Sequence, residues 1–78
     1  MKKYQTQSLY ESSFLLSSGF PIVSKDNHGE KVTLVFEETS ELKQAVMSFY
    51  NGSGNVSAKS FVDNFRSLKD FIFQGRGY

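Results

Sequence analysis

Apolar and polar positions change period along this chain, and the period identifies the element that each stretch forms. Ser8-Leu9-Tyr10-Glu11 has the form of a capping box, in which the Ser8 hydroxyl and the Glu11 carboxylate satisfy backbone donors left unpaired at a helix start. Leu9, Tyr10, Phe14, Leu15 and Leu16 follow, and Gly19 and Pro21 supply a stop. This predicts a first helix over about 8 to 18.

From Phe20 to Phe36 the period shortens to that of strands around Asp26-Asn27-His28-Gly29, with Gly29 suited to the left-handed residue of a hairpin loop. A loop of Asn27, His28 and Gly29 pairs Phe20 with Phe36, Ile22 with Leu34 and Ser24 with Val32 on one apolar face. The other face then receives Pro21 with Val35, Val23 with Thr33 and Lys25 with Lys31. Asp26 would face Glu30. A four-residue loop is the alternative. The run Lys3 to Thr6 offers an optional edge strand.

Glu37 to Glu41 places capping hydroxyls and negative charge at the start of a second helix. Leu42, Ala45, Val46, Phe49 and Tyr50 then form an amphipathic stripe that stops at Asn51-Gly52. Gly52-Ser53-Gly54 reads as a turn. Ser57 is the expected N-cap of a third helix, with Val56 and Phe61 as a hydrophobic staple. Ala58, Phe61, Val62, Phe65, Leu68 and Ile72 share one face of it. The expected fold is α+β, a hairpin packed against three helices in the order α-β-β-α-α, or β-α-β-β-α-α with the N-terminal edge strand.

Composition adds constraints. A chain of 78 residues supports one core, so residues 1–78 read as a single domain with a short tail from about 75. Without cysteine there is neither disulfide nor thiolate metal site, and eight Phe and four Tyr must supply much of the core. The net charge of +1 gives no global attraction to nucleic acid or anionic membrane. No run reaches a membrane span and no apolar stretch follows Lys2 and Lys3, so the expected location is cytoplasmic and no membrane contact is expected.

Candidate chemistry is sparse. His28, the single histidine, falls at the hairpin tip beside Asp26, where a polar turn residue is the ordinary choice and convergent metal ligands are lacking. Glu37-Glu38 suits the dipole of the second helix better than acid-base chemistry. Ser12, Ser13, Ser17 and Ser18 lack a nearby base and fit close helix packing. Gly52-Ser53-Gly54 lacks the Lys and Ser/Thr of a phosphate loop. Lys59, Asp63, Arg66 and Asp70 alternate in sign at i, i+4, i+7 and i+11, the pattern of a solvated helix face.

The C-terminal stretch stands apart. Arg66, Lys69, Phe71, Phe73, Arg76 and Tyr78 combine cations with rings, and the stripe of the third helix is already filled by Leu68 and Ile72. At least one of Phe71 and Phe73 should therefore lie off the core face, packed on the first helix, at a dimer seam, or stacked on single-stranded bases. The outer hairpin face of Val23, Lys25, Lys31 and Val35 is the second candidate surface.

Tyr4-x-Thr6-x-Ser8-Leu9-Tyr10 leading into Phe14-Leu15-Leu16 and Gly19, then Phe36, Phe49-Tyr50-Asn51-Gly52 and Phe65-Arg66-Ser67-Leu68-Lys69, resembles a family of short bacterial and phage proteins classed as a domain of unknown function. The resemblance covers nearly the whole chain. It implies a stand-alone cytoplasmic protein of a phage, a mobile element or its host, and it brings no catalytic residues. The resulting expectation is a non-enzymatic module, without cofactor or small-molecule substrate, that binds a protein partner, a host protein in the phage setting, or self-associates. The alternative is nucleic-acid binding through the basic and aromatic C-terminal stretch.

Overall fold

The computed structural model describes residues 2–29 and 31–73. Its elements are β1 (Lys3–Thr6), α1 (Leu9–Ser17), β2 (Ile22–His28), β3 (Lys31–Glu37), α2 (Ser40–Asn51) and α3 (Ala58–Phe73). The class is α+β and the order is β-α-β-β-α-α, with the N-terminal run forming a true strand. β3 is the centre of an antiparallel sheet of order β1-β3-β2.

Each helix starts where a side chain can accept an orphan backbone N–H. Ser8 Oγ accepts from Glu11 N at 3.1 Å, Thr39 Oγ1 from Leu42 N at 3.1 Å, and Ser57 Oγ from Ser60 N at 3.3 Å. α2 ends at Gly52, whose φ of 75° lies in the left-handed region that favours glycine. The capping box of α1 is only half built. Ser8 N donates to Thr6 Oγ1 at 3.1 Å, so the Glu11 carboxylate is released for other partners.

The hairpin differs from the sequence expectation in loop and register. His28 pairs with Lys31, so the strands close one residue tighter than a three-residue loop allows, with Gly29 at φ 64° directly after the last pair. Asn27 then pairs with Val32, Asp26 with Thr33, Lys25 with Leu34 and Ser24 with Val35. The register shifts between Ile22 and Ser24, which returns Ile22 to a position opposite Phe36. The bulge at Val23 is what lets Ile22 and Lys25, an odd number of residues apart, share the helix-facing side. Lys25 therefore leaves the outer face, and the unfavourable pairings of Lys25 with Lys31 and of Asp26 with Glu30 do not form.

The helices cover the face from which Leu34 and Phe36 project. Phe14 and Leu15 of α1, Leu42 of α2 and Leu68 of α3 complete the buried cluster, with Tyr4, Phe20, Ile22, Val32, Phe49, Phe61 and Ile72 packed around it. Val35 points the other way, between its register partners Gln5 and Ser24, and is buried. It is an internal residue of the central strand, not part of an exposed outer face.

α1 is the innermost helix, and all of Glu11 to Leu15 is buried. Five consecutive buried positions cover more than a full helical turn, so no one-sided stripe describes it. Ser12 and Ser13 are fully buried, and their small size permits α3 and α2 to approach. Ser13 Oγ donates to Leu9 O at 2.7 Å, and Asn64 Nδ2 of α3 donates to Ser17 Oγ at 3.0 Å.

Candidate interaction surface and a buried carboxylate

Glu11 is a buried carboxylate in the first turn of α1. Burying a charge is costly unless strong donors replace water. Two phenols do so here. Tyr4 of β1 donates to Oε1 at 2.6 Å, and Tyr50 from the last turn of α2 donates to Oε2. Burial, aided by the hydrogen bond to Glu11 and its charge, pushes the Tyr4 hydroxyl well above the ordinary phenol value. The hydrogen bond to Glu11 raises Tyr50 in the same direction, with smaller contributions from burial and charge. Both phenols are thus held protonated, and both carboxylate oxygens are engaged. The Tyr50 ring itself is exposed, so this residue leaves the apolar stripe of α2 to seal Glu11 from outside. Sequence reasoning missed the cluster because Glu11 looks like the second half of a capping box and Tyr50 like a continuation of the stripe.

Ser12 Oγ, adjacent to Glu11, is buried without a hydrogen-bond partner among the described residues. Among the described residues no group of three or more His, Cys, Asp or Glu is arranged to hold a metal. The backbone of His28 lies in the last strand pair of the hairpin, opposite Lys31, and not in the loop where the sequence expectation put it.

A second feature lies on the surface between α1 and α3. The rings of Tyr10 and Phe65 stack with centroids 5.2 Å apart, Phe61 and Phe65 stack at 6.4 Å, and Lys69 Nζ lies 5.9 Å from the Phe65 centroid. Tyr10 is 62% exposed although its ring is fixed by this contact. Val62 is exposed on the same side of α3, and Arg66 is exposed nearby in sequence and helical phase. Phe65 therefore does not continue the core stripe with Leu68 and Ile72 but builds an aromatic row with Tyr10. The sequence signal for this row was the placement of Tyr10 one position from Leu9, too close for both to face the same core.

The residues expected to form one C-terminal surface divide between two places. Lys69 stands beside the aromatic row and Arg66 is exposed on the same helix, whereas Phe71 faces the sheet side. There Lys25 Nζ bonds the Phe71 carbonyl at 3.0 Å and stands 4.5 Å from its ring centroid. The exposed Phe71 ring is thus partnered within the chain by Lys25. The side chain of Phe73, together with Arg76 and Tyr78, lies outside the described residues. Of the outer hairpin group, Val23 is exposed at its bulge and Lys31 is exposed, Lys25 turns toward α3, and Val35 is buried, so the four do not form one surface.

An apolar depression of about 260 Å³ lies between the start of β2 and the start of α2, floored by Phe20, Pro21, Val23 and Leu42 and edged by Glu37, Thr39 and Glu41. It depends on where α2 enters beside β2, which no local pattern encodes. Among the described residues no helix is long and apolar enough to cross a membrane.

No curated protein and no solved structure shows significant similarity to the chain. Residues 1–74 match the model of a protein family, and with nearly its whole length covered the chain belongs to that family, the domain of unknown function DUF5659.

Proposed function

We propose that this domain is a non-enzymatic module that binds a protein partner through the Tyr10, Phe65 and Phe61 row and the Arg66 and Lys69 cations beside it. The observation that carries the reading is Tyr10, a ring 62% exposed yet held against Phe65 at 5.2 Å. An aromatic anchor already fixed in place loses little conformational freedom on binding, and such anchors dominate many interfaces. The engagement of both Glu11 oxygens by phenols favours a structural role for the most deeply buried acid over an acid-base one. A cytoplasmic protein of a phage or mobile element acting on a host protein is the setting we favour, on the strength of the sequence resemblance and the absence of cysteine.

Nucleic-acid binding ranks second for a geometric reason. Bases stack on open ring faces. Phe65 already has Tyr10 and Phe61 stacked against it, and Phe71 has Lys25 over it. Tyr10 is the most exposed ring of this group, and the net charge is only +1.

Affinity capture from a lysate of the encoding cells, with and without nuclease, tests the ranking. Protein capture that resists nuclease and is lost in Tyr10→Ala supports the module. Capture that nuclease abolishes, or that Tyr10→Ala leaves intact, overturns it.

A further inference from the structure

We infer that the outer face of α3 is a self-association surface on which a second copy of this chain packs antiparallel. This names a partner and so rests on the protein-binding reading above. Lys59, Asp63, Arg66 and Asp70 fall within about 60° of one another around the helix at 100° per residue. They lie opposite Phe61, Leu68 and Ile72, which pack on the core, and all four are exposed.

The signs run plus, minus, plus, minus, and they are antisymmetric about the midpoint between Asn64 and Phe65. Two such helices laid antiparallel about that midpoint bring Lys59 against Asp70 of the second copy and Asp63 against Arg66 of the second copy, each contact occurring twice by symmetry. Laid parallel in register, the same helices oppose like charges. The pattern therefore selects one orientation of one partner, as interhelical charges do in paired helices.

The charge order within α3 supports an intermolecular use. α1 and α2 each carry an acid in the first turn, Glu11 and Glu41, in agreement with the helix dipole. α3 has no acid in its first turn. Instead Lys59 stands near its positive end and Asp70 near its negative end. Within the helix each pair also has the cation N-terminal to the anion, the weaker orientation at i, i+4. Lys59 and Asp63 do pair at 3.0 Å, but among the described residues Arg66 and Asp70, at the same spacing, form no ion pair. An antiparallel second copy corrects both features. It sets Lys59 beside the negative end of the opposite helix and Asp70 beside the positive one. Val62, 44% exposed at the edge of this face, supplies apolar contact.

Sedimentation of the full chain over a range of concentrations and salt tests the inference. The expected mass rises from 8.8 kDa toward twice that value, and the association weakens as salt screens the pairs. Two charge variants sharpen the test: Lys59→Glu with Arg66→Glu makes the quartet wholly acidic, and Asp63→Lys with Asp70→Lys makes it wholly basic. Each alone should self-associate at least about tenfold more weakly than the natural chain, and an equimolar mixture should restore a dimer. A natural chain that stays monomeric up to about millimolar concentration overturns the inference. Variants that associate like the natural chain overturn it equally. A natural chain that stays monomeric yet captures a different protein through Tyr10 refutes the second copy and leaves the module reading standing, and the Asp63→Lys, Asp70→Lys variant checks this with Tyr10, Phe61, Phe65, Arg66 and Lys69 all in place.

Discussion

The Tyr4 hydroxyl donates to Glu11 Oε1 at 2.6 Å, tying the edge strand β1 to the first turn of α1 beneath the exposed ring of Tyr50, which holds the other carboxylate oxygen. Three elements thus meet at one buried charge. Removing a donor leaves a carboxylate oxygen desolvated and unpaired. Tyr4→Phe should destabilise the fold by about 1–3 kcal/mol, and Tyr50→Phe by less, because water can reach an oxygen on the exposed side. Urea unfolding of both variants checks the order.

Alkaline stability follows from the same cluster. Tyr4 and Tyr50 both have hydroxyls raised in the folded chain, so folding favours their protonated forms. A group with a raised folded pKa contributes stability that is complete below its unfolded value, about 10 for Tyr, and is lost as pH rises toward the folded value. The chain should hold its stability up to about pH 9 and lose it progressively above about 10. Phenolate absorbance measured beside circular dichroism should show part of the tyrosine titration arriving with unfolding, and Glu11→Gln should weaken that coupling.

Gly54 is constrained by space. A Cβ there would lie 2.5 Å from Phe14 Cζ, and that ring is buried and packed against Phe49 with centroids 5.2 Å apart. The ring cannot yield without disturbing the core, so Gly54→Ala should cost about 1–3 kcal/mol. Thermal unfolding will register it as a fall in Tm without change of helix content at low temperature.

Val23 and Val35 separate the observed register from the alternative one. In the bulged register Val35 is buried in the central strand and Val23 is exposed at the edge. Val35→Ala should destabilise by about 2 kcal/mol as a buried truncation. Val23→Ala should stay within about 0.5 kcal/mol as a surface change. Equal losses at both sites would contradict the bulge.

The α+β class, the three helices with Ser8, Thr39 and Ser57 near their starts, the stop at Gly52 and the apolar side of Ile22, Leu34 and Phe36 were legible in the sequence. Caps, stops and periodicity act within a few residues of chain, where geometry is set by local sterics and backbone hydrogen bonding. The candidate surface was only partly legible. Lys69 stands beside the aromatic row as a cation near a ring, but the row itself pairs Tyr10 with Phe65, residues that only the packing of α1 on α3 brings together.

Tertiary structure alone decided the rest. The hairpin register turned on whether two or three residues close the loop, a choice of small energy locally, and the bulge at Val23 then kept Ile22 opposite Phe36 while turning Lys25 toward Phe71. The partners of Glu11 turned on Ser8 N bonding to Thr6 instead of the Glu11 carboxylate, and on α2 ending within reach of α1. Local sequence determines an element because its interactions lie within one or two turns. Which side chain answers a buried charge is decided by burial, and burial is a property of the assembled fold.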